Sequence, residues 1–110
     1  MNNYIDFLHE VFETFGVINT RKMFGGYGIY HAGLMFGLVA NDELFLKVDA
    51  QSINEFEKLN LNAFQYNKNG KVMKMSYYQA PEEIFENQEE ATHWANLAYN
   101  AALRVKSGKA

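Results

Sequence analysis

Histidine is the residue type in this sequence that is best suited to metal binding or to acid–base catalysis. His9, His31 and His93 are scattered along the chain, and none has another histidine three or four residues away. A second histidine at either distance would place two metal ligands on one face of a helix. The absence of cysteine also excludes thiolate nucleophiles and cysteine-ligated metal sites. We therefore predict no metal, no cofactor and no catalytic residues. A small-molecule enzyme is the least favoured alternative, since it would need a deep polar pocket around a group such as His31 or Glu43.

A glycine-rich run beside two cations is the second pattern that could do chemistry. The run Arg21–Tyr30 reads RKMFGGYGIY. Phosphate-binding loops have the form G-x-x-x-x-G-K-S/T, or G-x-G-x-x-G where a helix begins, and this run has neither. Glycine inside a strand instead marks a bulge or a close approach of another segment. We therefore predict that Gly25, Gly26 and Gly28 are structural and lie beneath the first helix.

Basic and aromatic residues of the predicted strands form a candidate interaction face. Every second side chain of a strand points to the same side. Phe45 therefore shares a side with Lys47, Tyr78 shares one with Lys74, and we expect both pairs on one face of the sheet. Aromatic rings interleaved with cations are typical of surfaces that bind single-stranded nucleic acid, and of protein interfaces. The alternative is that a helix covers part of this face. The complete candidate face comprises Arg21, Lys22, Phe45, Lys47, Lys74 and Tyr78.

The spacing of apolar residues separates predicted helices from predicted strands. From Tyr4 to Phe15 they recur every three or four positions, as in an amphipathic helix. From Arg21 onward apolar and polar residues alternate, as in a strand with one covered side. Asn69-Gly70 is typical of a two-residue hairpin turn. The predicted order is a helix ending near residue 15, strands at 21–30, 34–40 and 43–48, a helix at 50–59, strands at 64–67 and 71–78, and a helix that begins after residue 87.

Length and composition indicate one α+β domain over residues 1–110. The content of hydrophobic residues, 48%, is ample for one core and disfavours disorder. We predict two layers, with an antiparallel sheet of about five strands and helices mainly on one face, in the order helix-β-β-β-helix-β-β-helix. Met73, Met75 and Tyr77 are assigned to the core. No apolar run approaches the ~20 residues that span a bilayer, so we predict a cytoplasmic protein without membrane contact.

Four separated blocks of this sequence resemble the N-terminal domain of TfoX/Sxy proteins. They are RKMFGGYGIY (21–30), GLMFGLV (33–39), LFLKVD (44–49) and MSYYQAPE (75–82), followed by a helix that contains Trp94-Ala95. The resemblance covers nearly the whole chain in order. It implies a two-layer fold with an antiparallel sheet, and a role like that of the two-domain members, which regulate natural competence together with a cyclic-AMP-responsive transcription factor. Those members continue into a helical C-terminal domain, whereas this sequence ends at Ala110. The resemblance supplies no catalytic residues.

These observations favour a non-enzymatic interaction module with a regulatory role and an unidentified protein partner. The alternative is a nucleic-acid-binding domain that uses the basic and aromatic sheet face. The net charge of −3 ranks this alternative second, because nonspecific binding depends mainly on cations that neutralise phosphates. A homodimer is a further option for assembly.

Overall fold

The computed structural model describes residues 3–23 and 25–108. Over those ranges it contains three α-helices, six strands and one short 3-10 helix. The elements in chain order are α1 (Asn3–Val11), β1 (Asn19–Met23), β2 (Gly26–His31), β3 (Leu34–Ala40), β4 (Glu43–Lys47), α2 (Ile53–Glu57), β5 (Ala63–Lys68), β6 (Lys71–Gln79), the 3-10 helix (Glu82–Phe85) and α3 (Gln88–Lys106). The predicted α+β fold class is confirmed, and the order of helices and strands is as predicted except for one additional strand before α2.

The strands form one open antiparallel sheet in the order β1-β2-β3-β4-β6-β5. Two-residue turns close several hairpins, because residues with positive φ match the twist of the paired strands. The predicted turn at Asn69-Gly70 is one of them, with φ of 53° and 80°. The last strand pair inverts the sequence order, so β6 lies beside β4 and β5 forms the outer edge of the sheet.

The sheet has six strands rather than about five because the first predicted strand is a hairpin. β1 ends at Met23, which pairs with Gly26 at the start of β2. Gly25 has a φ of 75°, a left-handed conformation that glycine adopts without steric cost. Phe24 lies outside the described residues. Gly25 therefore marks a turn within the run that we predicted as one strand.

The main core lies between the sheet and the helices, which pack against the same sheet face. α3 contributes small side chains to it, and these allow its backbone to approach the sheet closely. Asn87 caps α3 as predicted: its Oδ1 accepts hydrogen bonds from the backbone N–H of Glu89 at 2.8 Å and of Glu90 at 3.2 Å. The fully buried large side chains of this core include Leu8, Phe12, Ile18, Ile29, Phe36, Leu46, Phe56 and Ile84.

No helix within residues 3–23 and 25–108 is long and apolar enough to cross a membrane.

Candidate interaction site

β4 presents two different faces, as its alternating sequence predicts. Leu44 and Leu46 enter the core beneath the helices. Phe45 belongs to a second apolar cluster, which contains no helix residue among those described. Lys47 points to the same side, because its Nζ lies 5.1 Å from the centre of the Tyr77 ring, and Tyr77 belongs to that second cluster. We call this side of the sheet the outer face and the other the helix side.

The register between β4 and β6 separates the predicted interaction residues. Lys47 pairs with Tyr77, and Leu46 pairs with Tyr78. Directly opposed residues of an antiparallel pair share a face. Tyr78 therefore lies on the helix side with Leu46. Lys74 lies on the same side as Tyr78, because every second residue of a strand points to the same face. The prediction that Lys74 and Tyr78 share a face with Phe45 and Lys47 is therefore wrong. The side chains alternate within each strand as predicted, but this alternation does not determine which face of one strand lies beside which face of the next.

The outer face carries an apolar patch that the described helices leave uncovered. Its centre is buried by neighbouring side chains: Leu38 is 2% exposed, and Phe45 and Tyr77 are each 7% exposed. More flexible or smaller residues surround that centre. The complete outer patch consists of Leu38, Phe45 and Tyr77, with Met35, Ala40, Phe64 and Met75 packed around them. Met73, Met75 and Tyr77, which we predicted in the core, thus belong to the outer face, and Met73 is 39% exposed.

Two cations of the candidate face lie over tyrosine rings on the outer side. The Cζ atom of Arg21 is 5.1 Å from the centre of the Tyr30 ring. The Nζ atom of Lys47 is also 5.1 Å from the centre of the Tyr77 ring. These are cation–π distances. Burial lowers the pKa of Lys47, and the Asp49 carboxylate opposes that change. Burial also raises the pKa of Tyr77 to about 12, with a smaller contribution from Tyr30, so the Tyr77 phenol is neutral at pH 7.

The helix side of β5 and β6 contains an open cleft of about 730 Å³. Tyr78 donates a hydrogen bond from its hydroxyl to Glu57 Oε2 at 3.1 Å. Burial and this hydrogen bond raise the pKa of Tyr78. The cleft is lined mainly by polar residues: Glu57, Asn60, Leu61, Asn62, Ala63, Gln65, Lys74 and Tyr78. Lys22 lies elsewhere, at a smaller cleft beside the β1–β2 turn. The six candidate residues therefore occupy three separate places.

The two groups named for the enzymatic alternative make structural contacts. His31 Nδ1 is 2.7 Å from the carbonyl oxygen of Val17, and its ring packs 4.7 Å from Phe15 and 5.1 Å from Tyr99. Glu43 accepts a hydrogen bond from Gln79 Nε2 at 2.7 Å. Neither lines the 730 Å³ cleft. Within the described residues, no three histidine, cysteine or carboxylate side chains are grouped so that they could hold a metal ion.

An ion pair that the sequence did not reveal joins the end of α3 to the turn after β4. Arg104 donates to both carboxylate oxygens of Asp49, from Nε at 2.5 Å and from Nη2 at 2.9 Å. The Asp49 carboxylate also accepts a hydrogen bond from the backbone N–H of Ser52 at 3.1 Å. In return, the Ser52 hydroxyl accepts a hydrogen bond from the backbone N–H of Asp49 at 3.0 Å. This reciprocal pattern resembles a capping box before α2. The Arg104 hydrogen bonds, followed by those of Ser52, lower the pKa of Asp49 to about 2 against the opposing effect of burial.

The outer patch was also missed, although β3 carried a signal for it. The strand reads LMFGLVA, with apolar residues or glycine at every position. Such a run is typical of a strand that is covered on both faces. In this structure the helices cover one face of β3, and on the other face Leu38 packs beside Phe45 and Tyr77 of neighbouring strands.

Comparison with known proteins identifies the family of this chain. A family model described as the TfoX N-terminal domain matches residues 10–102. Protein Sxy of Escherichia coli is 30% identical over 98 residues, which are 89% of this chain and 47% of that protein. DNA transformation protein TfoX1 of Aliivibrio fischeri is 30% identical over 73 residues, which are 66% of this chain and 34% of that protein. The chain thus spans less than half the length of either relative. Because the family model matches most of its residues, the chain belongs to the TfoX N-terminal domain family.

Proposed function

We propose that this chain is a non-enzymatic, cytoplasmic interaction module that regulates competence by binding a protein partner on the outer face of its sheet. The regulatory part of the proposal comes from the family and from the name of its relative, DNA transformation protein TfoX1. The observation that carries the binding part is the rim of the outer patch opposite the helices, where partly buried Phe64 and Met75 adjoin Met73 and Tyr66, each 39% exposed. Contiguous apolar surface of this kind marks interaction sites in soluble proteins.

The composition of the outer patch favours a protein over other partners. Methionine and aromatic residues are enriched at protein interfaces. Met35, Met75 and the half-exposed Met73 have flexible side chains that can repack around an incoming surface. Phe64 packs against Phe45 with ring centres 5.0 Å apart, which supplies a rigid centre. Hot spots of protein interfaces are enriched in aromatic residues that binding buries, and the accessible aromatic residue here is Tyr66, which is 39% exposed and stacks on Phe64.

Two adjacent residues of β6 provide a matched test of this proposal. Met73 (39% exposed) lies on the outer face, and Val72 (63% exposed) points to the opposite side of the strand. A photo-crosslinking amino acid at position 73 is expected to capture a specific protein in the native cell, and the same probe at position 72 is not. Met75→Glu should abolish the crosslink without lowering the melting temperature by more than a few degrees. Its control is Ser76→Glu, on the opposite side of the same strand. Equal capture from both probe positions, or none from either, would contradict the proposal.

Nucleic-acid binding on the same face is the second candidate, because Arg21 and Lys47 are held beside aromatic rings. If this function holds, a single-stranded probe should be shifted at low salt, and the affinity should fall steeply as salt rises. Arg21→Ala combined with Lys47→Ala should then weaken binding and reduce the salt slope by about two. Lys74→Ala is the control, since Lys74 lies on the helix side. A probe that is not shifted at low salt would exclude this candidate.

A further inference from the structure

We propose that the free edge of β5 binds an acidic, extended segment of a partner protein as an added strand. This inference rests on the proposed function, because it names the chemical character of one segment of the protein partner. Among the strands that the structure describes, β5 pairs with β6 on one side and is the last strand of the sheet. Half of the backbone groups of such an edge strand point away from the sheet and can pair with another chain.

The two edges of the sheet differ in how well they are protected against strand addition. Charged side chains on an edge strand disfavour pairing with another chain. β1 carries Arg21 and Lys22 at its centre, both of them exposed. β5 has the sequence AFQYNK and carries no charge before Lys68, its last residue. Its register irregularity lies between Ala63 and Gln65, so pairing from Gln65 to the turn is regular. β5 is therefore the more receptive edge.

Two cavities flank β5, one on each face of the sheet. The polar cleft of about 730 Å³ lies on the helix side and reaches Gln65 and Lys74. A second pocket of about 310 Å³ is lined by Phe64, Tyr66 and Met75, together with Asn67. Phe64 and Met75 belong to the outer patch, so this pocket opens on the outer face. A strand added to an edge sends alternate side chains to opposite faces. One set would enter the polar cleft, and the other would contact the aromatic pocket.

The charge of this part of the chain specifies an acidic segment. Residues 59–81 contain no aspartate or glutamate, although the whole protein has 13 of them and a net charge of −3. The β5–β6 hairpin carries three of the cations: Lys74 faces the polar cleft, whereas Lys68 and Lys71 lie on the outer side with Tyr66 and Met73. The carboxylate of Glu57 in the polar cleft accepts a hydrogen bond from Tyr78. An alternating peptide therefore fits best with carboxylates toward Lys74 and aliphatic side chains toward Phe64 and Met75.

The probe for this inference is a ten-residue peptide that alternates glutamate and valine, titrated against the intact chain by NMR. We expect it to shift the backbone amides of β5, and we expect a lysine–valine peptide of the same length to bind about tenfold more weakly. Lys74→Glu should weaken binding of the acidic peptide by a similar factor. Lys106→Glu, on the exposed last turn of α3, should not.

A proline variant tests the strand addition itself. Lys68 and Lys71 flank the two-residue turn as a hydrogen-bonded pair. Because successive residues of a strand direct their N–H groups to opposite edges, Asn67, which precedes Lys68, directs its N–H toward the free edge. Asn67→Pro removes that donor without removing a bond to β6, and is expected to weaken peptide binding about tenfold. Lys22 occupies the equivalent position beside the β1–β2 turn, so Lys22→Pro is the matched control.

Several outcomes would overturn the inference. They are a wild-type chain that does not bind the acidic peptide, equal binding of the lysine peptide, full binding by a folded Asn67→Pro variant, and binding of single-stranded DNA at β5 in place of the peptide. Self-association of the wild-type chain that Asn67→Pro abolishes would identify a second copy as the occupant, and would overturn it too. If the peptide fails while the probe at Met73 still captures a protein, the outer-face proposal stands and only the edge site is lost.

Discussion

Arg104→Met is expected to lower the free energy of unfolding by about 3 kcal/mol. The side chain of Asp49 is 1% exposed, whereas that of Arg104 is 26% exposed, so the substitution leaves a buried carboxylate without its counter-charge. Removing one partner of a buried ion pair costs more than the pair contributes, because the remaining charge keeps its desolvation penalty. Methionine retains most of the aliphatic packing of arginine, so the loss reports mainly on the charge. Urea denaturation monitored by Trp94 fluorescence measures the change.

Lys106→Met is the matched control for the position of Arg104 near the end of α3. Both cations lie in the last turn of the helix, where they interact favourably with its dipole. Lys106 is exposed, and its loss should cost less than about 0.5 kcal/mol. In a double-mutant cycle, Asp49→Asn combined with Arg104→Met should cost clearly less than the sum of the two single changes. Additive losses would show that the two side chains do not act as a pair.

The same pair predicts how stability depends on pH. The pKa of Asp49 is about 2 in the folded chain, below its usual value of 3.8. The ionised carboxylate therefore contributes about 2 kcal/mol of stability, which is fully present above pH 3.8 and lost as pH falls toward 2. In the Arg104→Met variant the main cause of the lowered pKa is absent, so this acid-dependent loss should be smaller. An unchanged acid profile would show that Arg104 does not set the ionisation of Asp49.

The sequence predicted the elements well where the pattern was local. The alternation in β4 assigned Leu44, Leu46, Phe45 and Lys47 to the faces that they occupy. Asn87 correctly predicted the start of α3, and Asn69-Gly70 correctly predicted a hairpin turn. Both predictions succeed because capping and turn geometry depend on a few neighbouring residues. The prediction of a single strand at 21–30 is wrong because Gly25 adopts a positive φ, so the chain turns within a run whose alternation alone indicates one strand.

The parts that could not be predicted depend on contacts between distant segments. Asp49 and Arg104 are 55 residues apart, and both belong to residue types that are usually exposed. Nothing in their local sequence distinguishes them from solvated charges. The register that sets Tyr77 against Lys47 likewise depends on how β6 packs beside β4 after an intervening helix and strand. An Asp followed three residues later by Ser was the available local signal for the turn at Asp49.

The three glycines of the first hairpin have different roles, although the sequence predicted one structural role for all of them. Gly25 occupies the turn, and a Cβ there would meet no atom within 4 Å. A Cβ on Gly28 would meet Met23, Tyr30 and Met35, which are side chains that can move. Because these contacts include outer-face residues, Gly28 does not lie beneath the first helix, and that prediction is wrong for it. Gly26 differs from both, since its nearest neighbour is backbone of β3.

Gly26→Ala is expected to lower the free energy of unfolding by about 3 kcal/mol or more. An added Cβ would lie 1.9 Å from the carbonyl oxygen of Val39 and 3.0 Å from its carbonyl carbon. Backbone atoms held in the β2–β3 ladder cannot rotate away, so the two strands must separate near their ends. Gly28→Ala is the control, and should cost less than about 1 kcal/mol because only the flexible ends of side chains must shift. Thermal and urea unfolding of both variants measure the difference. Equal losses, or a Gly26→Ala variant with wild-type stability that no longer binds its partner, would show that this glycine is not needed for the approach of β2 to β3.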